Sequence, residues 1–240
     1  MQRTAYIRFR KERAGPESDL IKSFLSHYKE LFNDHEDDAK LEITLLTEPY
    51  AEAGVPDILL ILWDKNLCKS WQPERDLLTR NDIKILHYIS TCGKRGTSIS
   101  KIIEILNFNN KELTKSLNRL IEADLIEKFD LKVYVKDLNK KFFIKKIISI
   151  EAKINNWKNA IFQAQLNENF SSHSYVLLPA EKINDNVLSS FTGRTGLLAQ
   201  DGGKPVLKKK AERTKIPGSY FSWILNEHLG RQHAQNFTLQ

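Results

Sequence analysis

Apolar residues recur at helical spacing in SDLIKSFLSHYKELF, where Leu20, Ile21, Phe24, Leu25, Tyr28 and Leu31 share one stripe. That stripe predicts a helix from Asp19 to Phe32. Ser18 or Asp19 can cap its start, and the acidic stretch Asn33 to Asp38 reads as a loop. Two β-like runs follow, Leu41 to Leu46 and Val55 to Trp63. The second is apolar nearly throughout, as in a central strand covered on both faces.

The pattern changes between Glu74 and about Asp137, where three helices and a hairpin are expected. NDIKILHYIST spaces Ile83, Leu86 and Ile89 helically, and Gly93 stops it. Ser98 can cap a short second helix, and Asn109 or Asn110 a third that turns Leu113, Leu117, Leu120 and Ile121 inward. LIEKFDLKVYVKD alternates as two short strands joined at Asp130. Beyond it come a strand from Lys145 to Ile154 and a helix from Asn155 to about Glu168, with Trp157, Ile161 and Ala164 on one face. A short strand, Tyr175 to Leu178, is ended by Pro179. A hairpin is expected around Asp201-Gly202-Gly203, and an amphipathic helix from Ser219 to Leu229. No repeat interrupts this order, and with the middle segment set aside the remainder is an α/β domain.

Composition narrows the classes. The 240 residues are 41% hydrophobic and 28% charged, enough for a buried core and against global disorder. A net charge of +7 permits a nucleic-acid partner. Cys68 and Cys92 have no metal-type spacing, so neither a disulfide scaffold nor a thiolate zinc site organises the chain. The apolar run Ile58 to Trp63 is far shorter than the ~20 residues of a membrane span. MQRTAYIRFRKERAG lacks the apolar segment of a signal peptide, so the expectation is a soluble cytoplasmic protein with no membrane partner. A glycine-rich phosphate loop is missing, and no spacing supports a histidine base.

Two short segments carry chemistry. In IISIEAKI, alternation sets Ile148, Ile150, Ala152 and Ile154 on one side of a strand and Ser149, Glu151 and Lys153 on the other. A carboxylate and an ammonium on a core strand are costly unless exposed, paired or metal-bound. In VPDILLIL, Asp57 opens an apolar strand, where a cleft can form. Together they can set two oxygen ligands and one lysine around a point that suits Mg2+ or Mn2+. The bland alternatives are a Pro-Asp turn and an edge-strand salt bridge of little energetic weight.

Pro56-Asp57 followed by Glu151-Ala152-Lys153 resembles the PD-(D/E)xK nuclease superfamily. The likeness runs on through EAKINNWKNAIFQAQLNENFSSHSYVLLP, Glu151 to Pro179, and reaches TGLLAQDGG. It implies a restriction-endonuclease-like α/β core, a mixed central sheet flanked by helices, and Mg2+- or Mn2+-dependent hydrolysis of DNA. It also implies that Asp57 and Glu151 are metal ligands and Lys153 the catalytic lysine. Glu48 is implied as a further ligand, with Glu17 or Glu30 as less favoured candidates. Gln163 or Gln165 would match a site-facing glutamine, with Gln163 preferred. A departure is the 93 residues between Asp57 and Glu151. Three helices followed by a hairpin, and the passage NRLIEADLIEKF, resemble a winged helix-turn-helix, which would account for the excess as an insertion.

The expected layout is therefore a core at 1–73 and 139–240 and an inserted winged helix at 74–138. Lys111, Lys115, Asn118 and Arg119 lie along the polar face of the third helix, suited to phosphate and base contacts, and Lys132 and Lys136 extend them from the wing. Lys208, Lys209 and Lys210 fall in the densest basic stretch and can follow a phosphate backbone. DNA is the expected partner, with a homodimer or protein partners as further possibilities. The competing reading is a catalytically inactive nuclease-fold module that binds DNA or protein through the winged helix.

Overall fold

In the computed structural model the described residues are 7–11, 14–31, 41–51 and 54–237. The acidic loop expected at 33–38, and Phe32, lie outside them. In chain order the elements are α1 (Pro16–His27), β1 (Glu42–Thr47), β2 (Ile58–Trp63), α2 (Lys65–Cys68), α3 (Arg80–Thr91), β3 (Thr97–Ser98), α4 (Ile99–Leu106) and α5 (Asn110–Glu122). They continue with β4 (Ile126–Phe129), β5 (Lys132–Val135), α6 (Leu138–Lys141), β6 (Ile144–Ala152), α7 (Trp157–Asn167) and β7 (His173–Pro179). The last are α8 (Asp185–Ser190), β8 (Gly196–Gln200), β9 (Val206–Lys209) and α9 (Tyr220–Phe237).

The chain forms two units: a sheet unit, Arg8–Asp64 with Ile144–Gly218, and a helical unit, Met1–Ile7 with Lys65–Phe143 and Ser219–Gln240. This corrects the layout expected from sequence in two places. The inserted segment runs from 65 to 143 rather than 74 to 138. The C-terminal helix belongs with it and not with the sheet, because α9 packs on α3 and buries Trp223, Leu225 and Leu229. An amphipathic stripe states that a helix needs a partner; it does not say which one.

In the sheet unit, six strands run β1-β2-β6-β7-β8-β9. The first three pair antiparallel, β6, β7 and β8 pair parallel, and β9 returns antiparallel. Every residue of β2 is buried, as its unbroken apolar run predicts, and each such side chain contributes about 1.5–3 kcal/mol by leaving water. Alternate residues serve opposite faces. Ile58, Leu60, Leu62, Ile148, Ile150 and Ala152 pack with Leu20 and Phe24 of α1. Val176, Leu178 and Leu197 pack with Ala160 and Ala164 of α7. The first helix begins at Pro16, three residues before the expected start, because proline suits the first helical position and Glu17 and Asp19 favour the first turn. The hairpin at Asp201-Gly202-Gly203 forms, but β8 is also a parallel neighbour of β7 and so part of the sheet interior. Helix α8 was not foreseen; Asn184 caps it by accepting from the Val187 amide at 3.0 Å.

In the helical unit, a reciprocal capping box fixes the start of α3: Thr79 Oγ1 accepts from the Asp82 amide, and the Thr79 amide donates to Asp82. Asn109 caps α5 through the Glu112 amide at 2.8 Å. Residues β3, β5 and β4 form a three-stranded sheet in that order. The strand β3 is an addition to the expected three helices and hairpin. Its two residues are too few to show alternation, and they pair antiparallel with β5. Gly230 of α9 lies against Trp71, where a Cβ would overlap the indole, so only glycine allows that approach. Among the described residues, no helix is long and apolar enough to cross a membrane.

Candidate active site in the sheet unit

Asp57 precedes β2 and Glu151 is the penultimate residue of β6, its antiparallel neighbour. The register pairs Ile58 with Ile150, which brings the two carboxyls together although 93 residues separate them in the chain. Both are buried, Asp57 at 7% and Glu151 at 3% exposure. Asp57 Oδ2 accepts the Ala152 amide at 2.8 Å. Glu151 Oε1 accepts from Asn167 Nδ2 at 2.7 Å, and its carboxyl lies beside that of Asp57. Lys153 follows β6; its Nζ donates to Glu17 at 3.3 Å and to the Ala152 carbonyl at 3.2 Å.

Burial and the neighbouring Asp57 push the Glu151 carboxyl up to about 8. Burial also raises Asp57, against the opposing pull of the Ala152 amide, Lys153 and Arg10. Two carboxyls in contact, away from water, hold their proton more tightly than either would alone, or they demand a cation.

These groups face a cavity of about 400 Å³ whose walls include Arg10, Glu17, Glu48, Asn159 and Gln163. Glu48 therefore lines the same cavity as Asp57 and Glu151. It adopts a left-handed backbone, φ +48°, uncommon for a residue with a side chain. Of the two glutamines, Gln163 lines the cavity, with its carbonyl oxygen buried and unpartnered among the described residues, whereas Gln165 is exposed. Of the two first-helix acids, Glu17 is at the cavity; Glu30 lies 4.0 Å from Lys204.

Two contributors escaped the sequence reading. Arg10 donates from Nε to Glu48 at 2.7 Å and stands 3.5 Å from Asp57. Its guanidinium is held more firmly charged, chiefly by the Glu48 hydrogen bond. It lies in the short alternation Ile7-Arg8-Phe9-Arg10, which can suggest a strand but does not tell a surface arginine from one at a site. Asn167 was legible in principle: it continues the buried stripe Ala160, Ala164, Asn167 of α7, and a polar group on such a stripe needs a partner.

The basic residues fare unequally. Lys111, Lys115, Asn118 and Lys132 are exposed. Arg119 is instead committed within the helical unit: its fork donates to both oxygens of the fully buried Asp82, at 2.8 and 2.7 Å. With Nε and Nη2 bonded to Asp82, Arg119 has fewer donors to offer phosphates or bases than its exposed neighbours on the same helix. Lys136 pairs with Asp124 and is likewise engaged. Lys208 is exposed, but Lys209 donates to the Gly193 and Thr195 carbonyls. Lys210 rims a second cavity, about 320 Å³, over Ile148 and Leu198.

Among the described residues, no three His, Cys, Asp or Glu side chains form a ready metal cage. Mg2+ does not require one, since it takes one or two protein carboxylates and completes its shell with water and phosphate oxygens. The contacting Asp57 and Glu151 carboxyls fit that demand.

No protein-family model matches the chain, and no curated protein does. Among solved structures it is similar to a protein of unknown function from Silicibacter pomeroyi, at 16% identity and a TM-score of 0.28. The match covers 39% of this chain and 60% of that one, and a likeness of this size carries no argument about fold or activity.

Proposed function

We propose that this chain is a Mg2+- or Mn2+-dependent endodeoxyribonuclease of the PD-(D/E)xK type, a DNA-processing phosphodiesterase. Its core would be restriction-endonuclease-like, with an inserted winged helix-turn-helix. The observation that carries the reading is the meeting of Asp57, just before β2, with Glu151 of the neighbouring strand β6, both buried, and Lys153 just past the end of β6. The order of the sheet unit agrees with it: a helix, three antiparallel strands, a helix and a parallel fourth strand. The helix, short strand, two helices and hairpin of the helical unit have the order of a winged helix.

Asp57 and Glu151 would hold the ion, with Glu48 within reach of the same cavity. When bound, a divalent ion supplies Lewis-acid polarisation of a phosphoryl oxygen and lowers the pKa of water. Asn167 fixes one Glu151 oxygen and so sets the carboxyl's orientation. Lys153, held at the cavity by Glu17 and the Ala152 carbonyl, offers an ammonium for charge developing on a phosphoryl group. The free carbonyl oxygen of Gln163 can accept a hydrogen bond and orient a water. Exposed Lys111, Lys115, Asn118 and Lys132 supply contacts to phosphates and bases.

Glu151→Ala and Lys153→Ala should each slow cleavage of duplex DNA in Mn2+ by about 100-fold or more. Binding measured in Ca2+ should change by no more than about twofold, because most affinity comes from phosphate contacts elsewhere. Undiminished cleavage by Lys153→Ala defeats the assignment. Binding without cleavage of any duplex or single strand, in any divalent ion, leaves the inactive DNA-binding module.

A further inference from the structure

Arg10 is delivered to the cavity by a short antiparallel pairing. Its amide donates to the Glu48 carbonyl at 2.9 Å, the Tyr50 amide donates to the Arg8 carbonyl at 2.8 Å, and Phe9 bridges Pro49. The side chain then meets two carboxyls unequally. The Nε bond to Glu48 is 2.7 Å, a full charge-assisted hydrogen bond, whereas Nη2 stands 3.5 Å from Asp57 Oδ1. Glu48 and Asp57 are themselves tied, because the Glu48 amide donates to the Asp57 carbonyl at 3.0 Å. The guanidinium is thus fixed at one end, loosely engaged at the other, and 29% exposed.

We propose that Arg10 is a positioning residue that stands in for the divalent ion, countering Asp57 in the ion-free site and yielding it when the ion arrives. This rests on the reading of the Asp57–Glu151 pair as an ion site. Arg10 and the ion then compete for the same carboxyl. The weaker 3.5 Å contact breaks while the Glu48 bond persists, so the guanidinium stays at the cavity wall after release. The device keeps a cluster of acids from standing uncountered when no ion is present, at the cost of a lower affinity for it.

The test is a calorimetric titration of the DNA-free protein with Mn2+ alone. Arg10→Gln should bind Mn2+ about twofold to fivefold more tightly than wild type, the upper part of the range expected from losing a partly exposed ion pair. Arg10→Lys, which keeps the charge but cannot fork, should fall between them. Lys22→Gln removes the same charge from the cavity wall and should leave Mn2+ affinity within about 1.3-fold of wild type. Equal or weaker binding by Arg10→Gln overturns the proposal, as does a matching gain in Lys22→Gln, which would reflect the general field alone. If Glu151→Gln leaves wild-type Mn2+ binding intact, the ion-site reading itself falls, a separate failure.

Discussion

The helical and sheet units bury charge in opposite ways. In the helical unit, Arg75 and Glu227 are almost fully buried but meet as a two-pronged pair, and Arg75 also donates to the Lys141 carbonyl and stacks 4.3 Å above Trp71. Asp82, with no exposed surface, is answered by the fork of Arg119 and the Thr79 amide. Among the described residues there, each buried ion faces an opposite one, which holds elements together. In the sheet unit, Asp57 and Glu151 face each other, and their nearest cations are shared with Glu48 and Glu17. Opposite charges buried together are architecture; like charges buried together wait for something.

The largest test of this contrast is Glu227→Ala. It strands Arg75 in the interior, and the helical unit should lose about 3–5 kcal/mol, read by denaturant unfolding. A loss below about 1 kcal/mol would mean the pair is not what ties α9 in place.

The pH dependence sharpens the same contrast. Glu151 titrates higher in the folded protein, about 8, than its ordinary 4.5, so the folded state binds the proton more tightly. Its stabilising contribution is complete below 4.5 and disappears as pH rises toward 8. Ion-free protein should therefore lose up to about 5 kcal/mol across that window, Glu151→Gln should flatten the slope, and Mn2+ should restore stability at the alkaline end. In the helical unit, burial lowers His87, so its contribution is lost in the other direction, as pH falls. Thermal unfolding across pH 4.5 to 8.5 reads both, and a flat profile for ion-free wild type would break the comparison.

The smallest expected effect is Arg119→Ala. It removes a bidentate partner from Asp82, which keeps its capping bonds, so the cost should be about 1–2 kcal/mol of stability. On the proposed DNA-binding function, affinity should fall less than in Lys111→Ala/Lys115→Ala, whose salt dependence should flatten by roughly two counterions. A strong loss of sequence preference in Arg119→Ala would return it to the role of base reader.

Much of the sheet was legible because strands advertise themselves. The unbroken Ile58–Trp63 run and the alternation of Ile148, Ile150 and Ala152 follow from which faces are covered, and burial agrees at each position. Glu151 and Lys153 stood out for the same reason, as charges on a strand otherwise apolar. That Asp57 and Glu151 can share one point was legible as a possibility from a carboxylate at each of two strand ends, and the resemblance strengthened it; their actual approach depends on strand register. Arg10 was invisible, because a surface arginine and a site arginine have the same neighbours in sequence.

Local order along this chain was set by period and punctuation: where apolar residues fall every two or every three to four positions, and where Pro16, Thr79, Ser98 and Asn109 start helices. Partnership was decided by the folded chain alone. Whether α9 joins the helices, whether Arg119 binds Asp82, and whether Arg10 reaches Asp57 depend on distances between segments remote in the chain. Hydrogen bonds and ion pairs act over a few ångströms of space, and no reading of neighbours along the polypeptide measures that.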